Sequence, residues 1–181
     1  MKLLSFVSTL SFLVFISCNT SDKKNDLSVT RHTTEADAIK NAVADAYRSI
    51  SFKQGQQLNY ADIKKSFIPQ ASLINFGDDS LQYMTIDRFV DFYKGFIDSN
   101  KVSSFYEEEI SGITEQFGRV AHRISSYKTY MNTMDSAAQR GVNSFQLVKT
   151  LQGWKVSSII WDIESPKLKI PDYYLKAETA Q

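Results

Sequence analysis

Along the chain the apolar positions fall into two regimes, helical first and strand-like afterwards. Ala36, Ile39, Val43, Ala46, Tyr47 and Ile50 recur at helical spacing. Thr34 is placed to cap that helix, with Asp37 three residues on as an acidic variant of the capping box. Gly55 falls in the stretch that ends it. A second, short helix is expected from Asp62 through Ile63 and Phe67, stopped by Pro69. Residues 71–76 read as a short strand, 77–80 as a turn, and 81–84 as a hairpin partner. Thr85 then caps a third helix carrying Ile86, Phe89, Val90, Tyr93, Phe96 and Ile97 on one stripe. From residue 102 the period changes to that of strands, with β-rich runs at 102–117, 119–131, 141–151 and 154–163. The turns between them are short, which implies antiparallel neighbours. Helices followed by a meander predict an α+β domain over residues 35–175, its three helices on one face of a curved antiparallel sheet.

The first eighteen residues follow neither pattern. Lys2 is a short positive region, and Leu3 to Ile16 is an apolar run shorter than the roughly 20 residues a membrane span needs. That is the anatomy of a secretory signal. The run ends at Cys18, the chain's single cysteine. Phe15-Ile16-Ser17 before it resembles a bacterial lipobox, with Phe15 where the commonest motif has Leu. The resemblance implies a signal peptide over 1–17, lipidation of Cys18, and a mature chain beginning there, anchored in the bacterial cell envelope and facing the periplasm from the outer membrane. Two or three acyl chains on one residue give stable anchoring where a single chain is marginal. The polar block 19–34 has no periodicity and reads as part of a flexible tether over 18–34, about 50 Å long if fully extended.

Charge and cysteine count exclude several classes. Without Lys2 the formal net charge of +1 falls to zero, and the signs are interspersed, so nucleic acid is not an expected partner. With no second thiol there is no disulfide framework and no cysteine-based metal site. No Gly-rich phosphate loop, Ser-His-Asp order or zinc spacing occurs, so neither cofactor nor metal is expected.

Three stretches carry a resemblance to a known superfamily: 118–127 (Gly-Arg-Val-Ala-His-Arg-Ile-Ser-Ser-Tyr), 140–147 (Arg-Gly-Val-Asn-Ser-Phe-Gln-Leu), and Trp154 through Trp161-Asp162-Ile163-Glu164. With the element order, they resemble the nuclear-transport-factor-2-like, or SnoaL-like, superfamily across roughly residues 35–165. The resemblance implies a cone of helices against a bent, cystatin-like sheet. It does not imply one function, because this fold hosts isomerases, hydrolases, dehydratases, binding proteins and assembly modules.

The candidate residues follow from strand alternation. His122 points opposite to Ser125 and Tyr127 unless a bulge intervenes. It is either a general base at the cone mouth or an outer-face residue bonded to a carbonyl, and no nucleophile or carboxylate close in sequence supports the first. Asn143 shares a face with Phe145 and Leu147, while Ser144 and Gln146 share the other with Val142 and Val148. With Arg140 they line either a pocket or a wet outer face. Trp161 shares its face with Ile159 and Ile163, which favours the core, and Glu164 closes the last strand. In the run Glu107-Glu108-Glu109, alternation sends Glu108 one way and its neighbours the other, so no ready-made metal cage forms.

The expected pocket set is thus His122, Tyr127, Arg140, Asn143, Ser144, Gln146, Trp161 and Glu164. The first expectation is a lipid-anchored module that holds a small, partly apolar ligand in its cone. The alternatives are an isomerase- or hydrolase-type enzyme, with His122 or a buried carboxylate as base and Tyr127 or Arg140 as oxyanion partner, and a structural module that forms a homodimer through its sheet face. The enzyme requires a buried titratable group beside a second polar group in the cone. The structural module requires a filled cone.

Overall fold

The computed structural model describes residues 26–77 and 80–176, with side chains from residue 35 onward. The apolar run, Cys18 and the Asp78-Asp79 turn lie outside the described residues.

Helix α1 runs Asp26–Ile50. No glycine or proline interrupts that span, so Thr34 lies inside the helix rather than capping it, and 26–34 is helical where a tether was expected. Its inward face is Ile39, Val43, Ala46 and Tyr47, all buried. The one-turn helix α2 (Tyr60–Ile63) is capped by Asn59, whose side chain accepts from the Ala61 N–H at 3.2 Å. Asp62, the expected cap, sits within the turn and pairs with Lys65 at 2.5 Å.

Strand β1 (Phe67–Gly77) begins before the expected start at 71 and runs through Pro69. The proline falls inside a register shift between Phe67 and Ser72, where a missing N–H costs no regular ladder bond. Strand β2 (Ser80–Thr85) pairs back antiparallel. Helix α3 (Ile86–Ser99) starts as its sequence predicts, with Thr85 Oγ1 accepting from the Arg88 N–H at 3.3 Å. Strands β3 (Phe105–Phe117), β4 (Val120–Met131), β5 (Gln139–Thr150) and β6 (Gly153–Ile163) form the meander.

All six strands join one curved sheet in the order β2-β1-β6-β5-β4-β3. The β1–β6 pair is parallel, so the sheet is mixed rather than wholly antiparallel. That pairing joins the β1–β2 hairpin to the end of the meander, a non-local contact that local periodicity does not encode. The inner face packs on α1 and α3 and makes one core, with Leu73, Phe145, Leu147 and Val156 almost wholly buried.

The chain after β6 turns back over the outer face. The Glu164 N–H donates to the Arg140 carbonyl at 2.8 Å. Farther on, the Ser126 hydroxyl donates to the Tyr174 carbonyl at 2.8 Å, and the Ser111 hydroxyl donates to the Lys176 carbonyl. These serines are buried although they point away from the helices, because this strap covers them.

Candidate functional site

Alternation along β4 decides which side chains reach the interior. Ala121, Arg123, Ser125, Tyr127 and Thr129 point inward and are buried. On the neighbouring strands the same face carries Phe105, Glu107 and Glu109 of β3 and Asn143, Phe145 and Leu147 of β5. Between these strands, α1 and α3 lies a cavity of about 270 Å³. That is near the small end of the usual range for ligand pockets.

Its walls are mainly aromatic. Phe89 and Tyr93 from α3 stack at 6.0 Å between ring centroids, and Trp161 meets Phe89 edge-on at 6.5 Å. Phe105 and Phe145 add walls from the sheet, and Phe92 and Ile163 stay exposed where they border the cavity. The amphipathic stripe of α3 supplies this aromatic side because Phe89, Tyr93 and Phe96 follow helical spacing.

One carboxyl enters this apolar space. Glu107 Oε2 accepts from the Thr129 hydroxyl at 2.7 Å. Burial opposes its ionisation and pushes its pKa from the ordinary 4.5 up to about 7, against the Thr129 hydrogen bond, which favours the charge. Three phenols surround it: Tyr47 from α1, Tyr93 from α3 and Tyr127 from β4. Burial, and then the neighbouring Glu107 charge, raise all three well above the usual phenol range, so they stay neutral at physiological pH.

The protons of these phenols are committed. Tyr93 donates to the Ile50 carbonyl at 2.6 Å, and Tyr127 donates to Gln139 Oε1 at 3.3 Å. Tyr47 belongs to a longer chain. Arg123 grips Glu109 with two hydrogen bonds, Nε to Oε2 at 2.8 Å and Nη2 to Oε1 at 2.6 Å. Ser125 spends its single proton on the same carboxylate at 2.7 Å. Tyr47 must therefore be the donor in its 2.7 Å bond to Ser125. Its oxygen accepts from Asn143 Nδ2 at 2.9 Å. The sequence of donors thus runs from Asn143 through Tyr47 and Ser125 to Glu109, and it fixes which end of the Asn143 amide faces the cavity. Gly112 makes room for the ion pair, since a Cβ there would meet the Arg123 guanidinium.

The expected pocket residues divide by face. Tyr127, Asn143 and Trp161 line the cavity. His122, Ser144 and Gln146 do not, and this corrects the expectation for them: the alternation that turns Tyr127 and Asn143 inward turns these outward. His122 lies opposite Glu115 and Gln146 on the outer face, its Nε2 3.7 Å from Glu115 Oε2. Arg140 and Glu164 are likewise outside the cavity. They face each other at 3.5 Å beside the strap, and Glu164 Oε1 accepts from the Ile170 N–H at 3.4 Å. Arg140 is therefore not an oxyanion partner for anything in the cone. The residue missed from sequence is Glu107. Its signal was its position two residues from Phe105, on the apolar face of the strand. Among the described residues no group of three or more His, Cys, Asp or Glu could hold a metal ion, and no helix is long and apolar enough to cross a membrane.

Solved structures resemble this architecture at low sequence identity. A cystatin-like protein of unknown function from Nostoc punctiforme superposes with a TM-score of 0.59 at 12% identity, covering 75% of this chain and 94% of the other. A nuclear-transport-factor-2-like protein of unknown function from Shewanella baltica gives 0.52 at 17% identity, over 74% and 97% of the two chains. A candidate ketosteroid isomerase from Shewanella frigidimarina gives 0.50 at 13% identity, over 69% and 94%. No protein-family model matches the chain, and no curated protein matches it significantly. The chain has the cystatin-like, nuclear-transport-factor-2-like fold. At these identities the likeness defines the fold and leaves the chemistry to the cavity.

Proposed function

We propose that the cone binds a small, largely apolar molecule, and that lipid on Cys18 holds the domain at the periplasmic side of the bacterial outer membrane. The observation that carries the binding reading is the cavity itself: about 270 Å³ of open space with aromatic walls and one carboxyl. A domain that needed only a packed core would fill that space, since voids cost stability. Aromatic walls bury the ligand's apolar body, and Glu107 and Asn143 orient its polar end.

The direct test is native mass spectrometry of the chain purified from bacterial cells, followed by titration of 1-naphthol against Trp161 fluorescence. A retained small molecule, or saturable quenching lost in Trp161→Phe, supports binding. An apo protein that no apolar probe quenches rules it out. Cys18→Ala tests the anchor, since it should move the protein from the membrane fraction to the soluble one.

A second reading is an enzyme of the isomerase kind, favoured by Glu107. A carboxyl poised at about 7 in an apolar cavity suits proton transfer near neutral pH. One fold neighbour bears the name of a candidate ketosteroid isomerase. Against this reading stand the committed protons of Tyr47, Tyr93 and Tyr127, which leave no phenol donor for an oxyanion. Proton–deuterium exchange into 5-androstene-3,17-dione, abolished by Glu107→Gln, would establish it.

The open cavity does not fit a purely structural module, but homodimerisation through the outer sheet face is compatible with either reading. Tyr83, Ile74, Ile160, Ser144, Ile124 and Ile113 lie in one cross-strand register on that face, and the row carries no charge to repel a second copy. Sedimentation of the wild type against Ile160→Lys measures it.

A further inference from the structure

The hydrogen-bonding inventory of the cavity goes further than its size. We infer that the ligand carries a cationic, hydrogen-bond-donating head of the amine type on an aromatic or aliphatic body. This rests on the ligand-pocket reading above and adds the chemical class. It turns on what the wall has left to offer after its internal bonds are made.

The wall offers acceptors and a negative charge. Every phenol proton is already given to a protein acceptor. The chain of donors ending at Glu109 turns Asn143 Nδ2 toward Tyr47, which leaves Oδ1 without a partner in a residue only 6% exposed. Asn75 Oδ1, in the same wall, is buried and has no hydrogen-bond partner. A buried acceptor without a donor costs about 1–3 kcal/mol, so Asn75 Oδ1 marks a part of this wall where a donor is missing, and Asn143 Oδ1 offers a further acceptor. Glu107 adds a carboxyl whose only protein donor among the described residues is the Thr129 hydroxyl.

The charge balance points the same way. Among the described residues Glu107 is the one formally charged side chain in the wall, and no lysine or arginine lines the cavity. A ligand carboxylate or phosphate would meet like charge with no cation to receive it. A ligand ammonium would meet a counter-ion, the Asn143 amide oxygen and a wall that includes Phe89, Tyr93 and Trp161, rings whose quadrupoles attract cations. It would also supply the partner that burial denies to Glu107, and so favour the ionised carboxylate. The groups facing Glu107 are Tyr47 from α1, Tyr93 from α3, and Tyr127 and Thr129 from β4, with Glu109 next along β3. None of these is cationic.

The test uses three probes that share one ring: 2-phenylethylamine, 2-phenylethanol and phenylacetate. Each is titrated calorimetrically into the full-length chain at pH 6 and pH 8. At pH 8 the amine should bind at least ten-fold more tightly than the alcohol, and phenylacetate weakest of all. Amine affinity should rise from pH 6 to pH 8 while alcohol affinity stays level. In Glu107→Gln the amine should fall to within about three-fold of the alcohol titrated into the same variant. Equal binding of all three, a preference for phenylacetate, or an amine preference that survives Glu107→Gln would overturn the inference and leave the pocket reading standing. If none of the three binds the wild type, the pocket reading falls and the inference with it. The wild-type ranking needs no variant, so it holds even if Glu107→Gln misfolds.

Discussion

Glu107 and Glu109 stand two residues apart on one strand and one face, yet they occupy different chemical worlds. Glu109 meets two hydrogen bonds from a guanidinium that is 2% exposed, and a third from Ser125. Glu107 meets one hydroxyl and a wall of rings. One step along the sheet separates a carboxylate satisfied by the fold from a carboxyl that the fold leaves wanting. A buried charge with its full complement of donors holds structure together. A buried carboxyl without one is where a ligand can be recognised or a proton moved.

Removing the partner of the satisfied carboxylate should produce the largest effect. Arg123→Ala leaves Glu109 buried without its counter-ion, and this should cost about 3–5 kcal/mol in urea denaturation. Replacing both, Arg123→Met with Glu109→Leu, should recover most of that loss. A loss under about 1 kcal/mol in the single variant would mean that water reaches the pair and that the contrast with Glu107 is one of degree.

Glu107 predicts a smaller effect with a definite pH window. Its pKa is about 7 in the fold against an ordinary 4.5, so the unfolded chain gives up its proton first as pH rises. The contribution of Glu107 to stability is therefore greatest below pH 4.5, declines through the window and levels off above 7, a total of about 3 kcal/mol. Glu107→Gln should flatten that decline and exceed the wild type at pH 8. Denaturation midpoints at pH 4, 5.5, 7 and 8.5 decide it, and parallel curves for the two proteins would show that Glu107 is not isolated in the fold.

Gly112 tests the packing around the other carboxylate. Gly112→Ala sets a methyl against the Arg123 guanidinium and should cost about 1–3 kcal/mol. In an Arg123→Ala background the same change should cost much less, because the group it strikes is gone. Additive costs in that cycle would place the clash elsewhere.

The helical and strand periods in the sequence locate α3 and the meander to within a few residues, since those patterns are local. What they omit is non-local. The parallel β1–β6 pairing, the strap over Ser111 and Ser126, and the start of α1 at Asp26 depend on contacts far apart in the chain or on a polar stretch without periodicity. The same limit governs the site. Tyr127, Asn143 and Trp161 are legible as members of apolar strand faces. His122 draws notice for its chemistry, although alternation from Tyr127 sends it to the outer surface. Glu107 is hidden by its neighbours, because three consecutive glutamates read as a solvated run. Only the inward phase shared with Phe105, before the register shift between Glu109 and Ser111, shows one of them entering the cone.

The finest test of the comparison is the single hydroxyl on Glu107. Thr129 Oγ1 donates to Oε2 at 2.7 Å, and that bond favours the charged carboxylate. Thr129→Val keeps the branched shape and removes the donor. At pH 4, where Glu107 is protonated, the change should move stability by no more than about 1 kcal/mol. The midpoint of the Glu107 titration, followed by the side-chain carboxyl carbon in NMR, should rise above about 7. Ser125→Ala removes the matching hydroxyl beside Glu109 and should behave differently. It takes one of three donors from a carboxylate that keeps its arginine, so it should lower stability at every pH by about 1–2 kcal/mol. A fixed Glu107 midpoint in Thr129→Val would mean that the rings alone set its environment. A raised midpoint would show that one hydroxyl is all the fold spends on holding this charge, which leaves the rest of its need to whatever enters the cone.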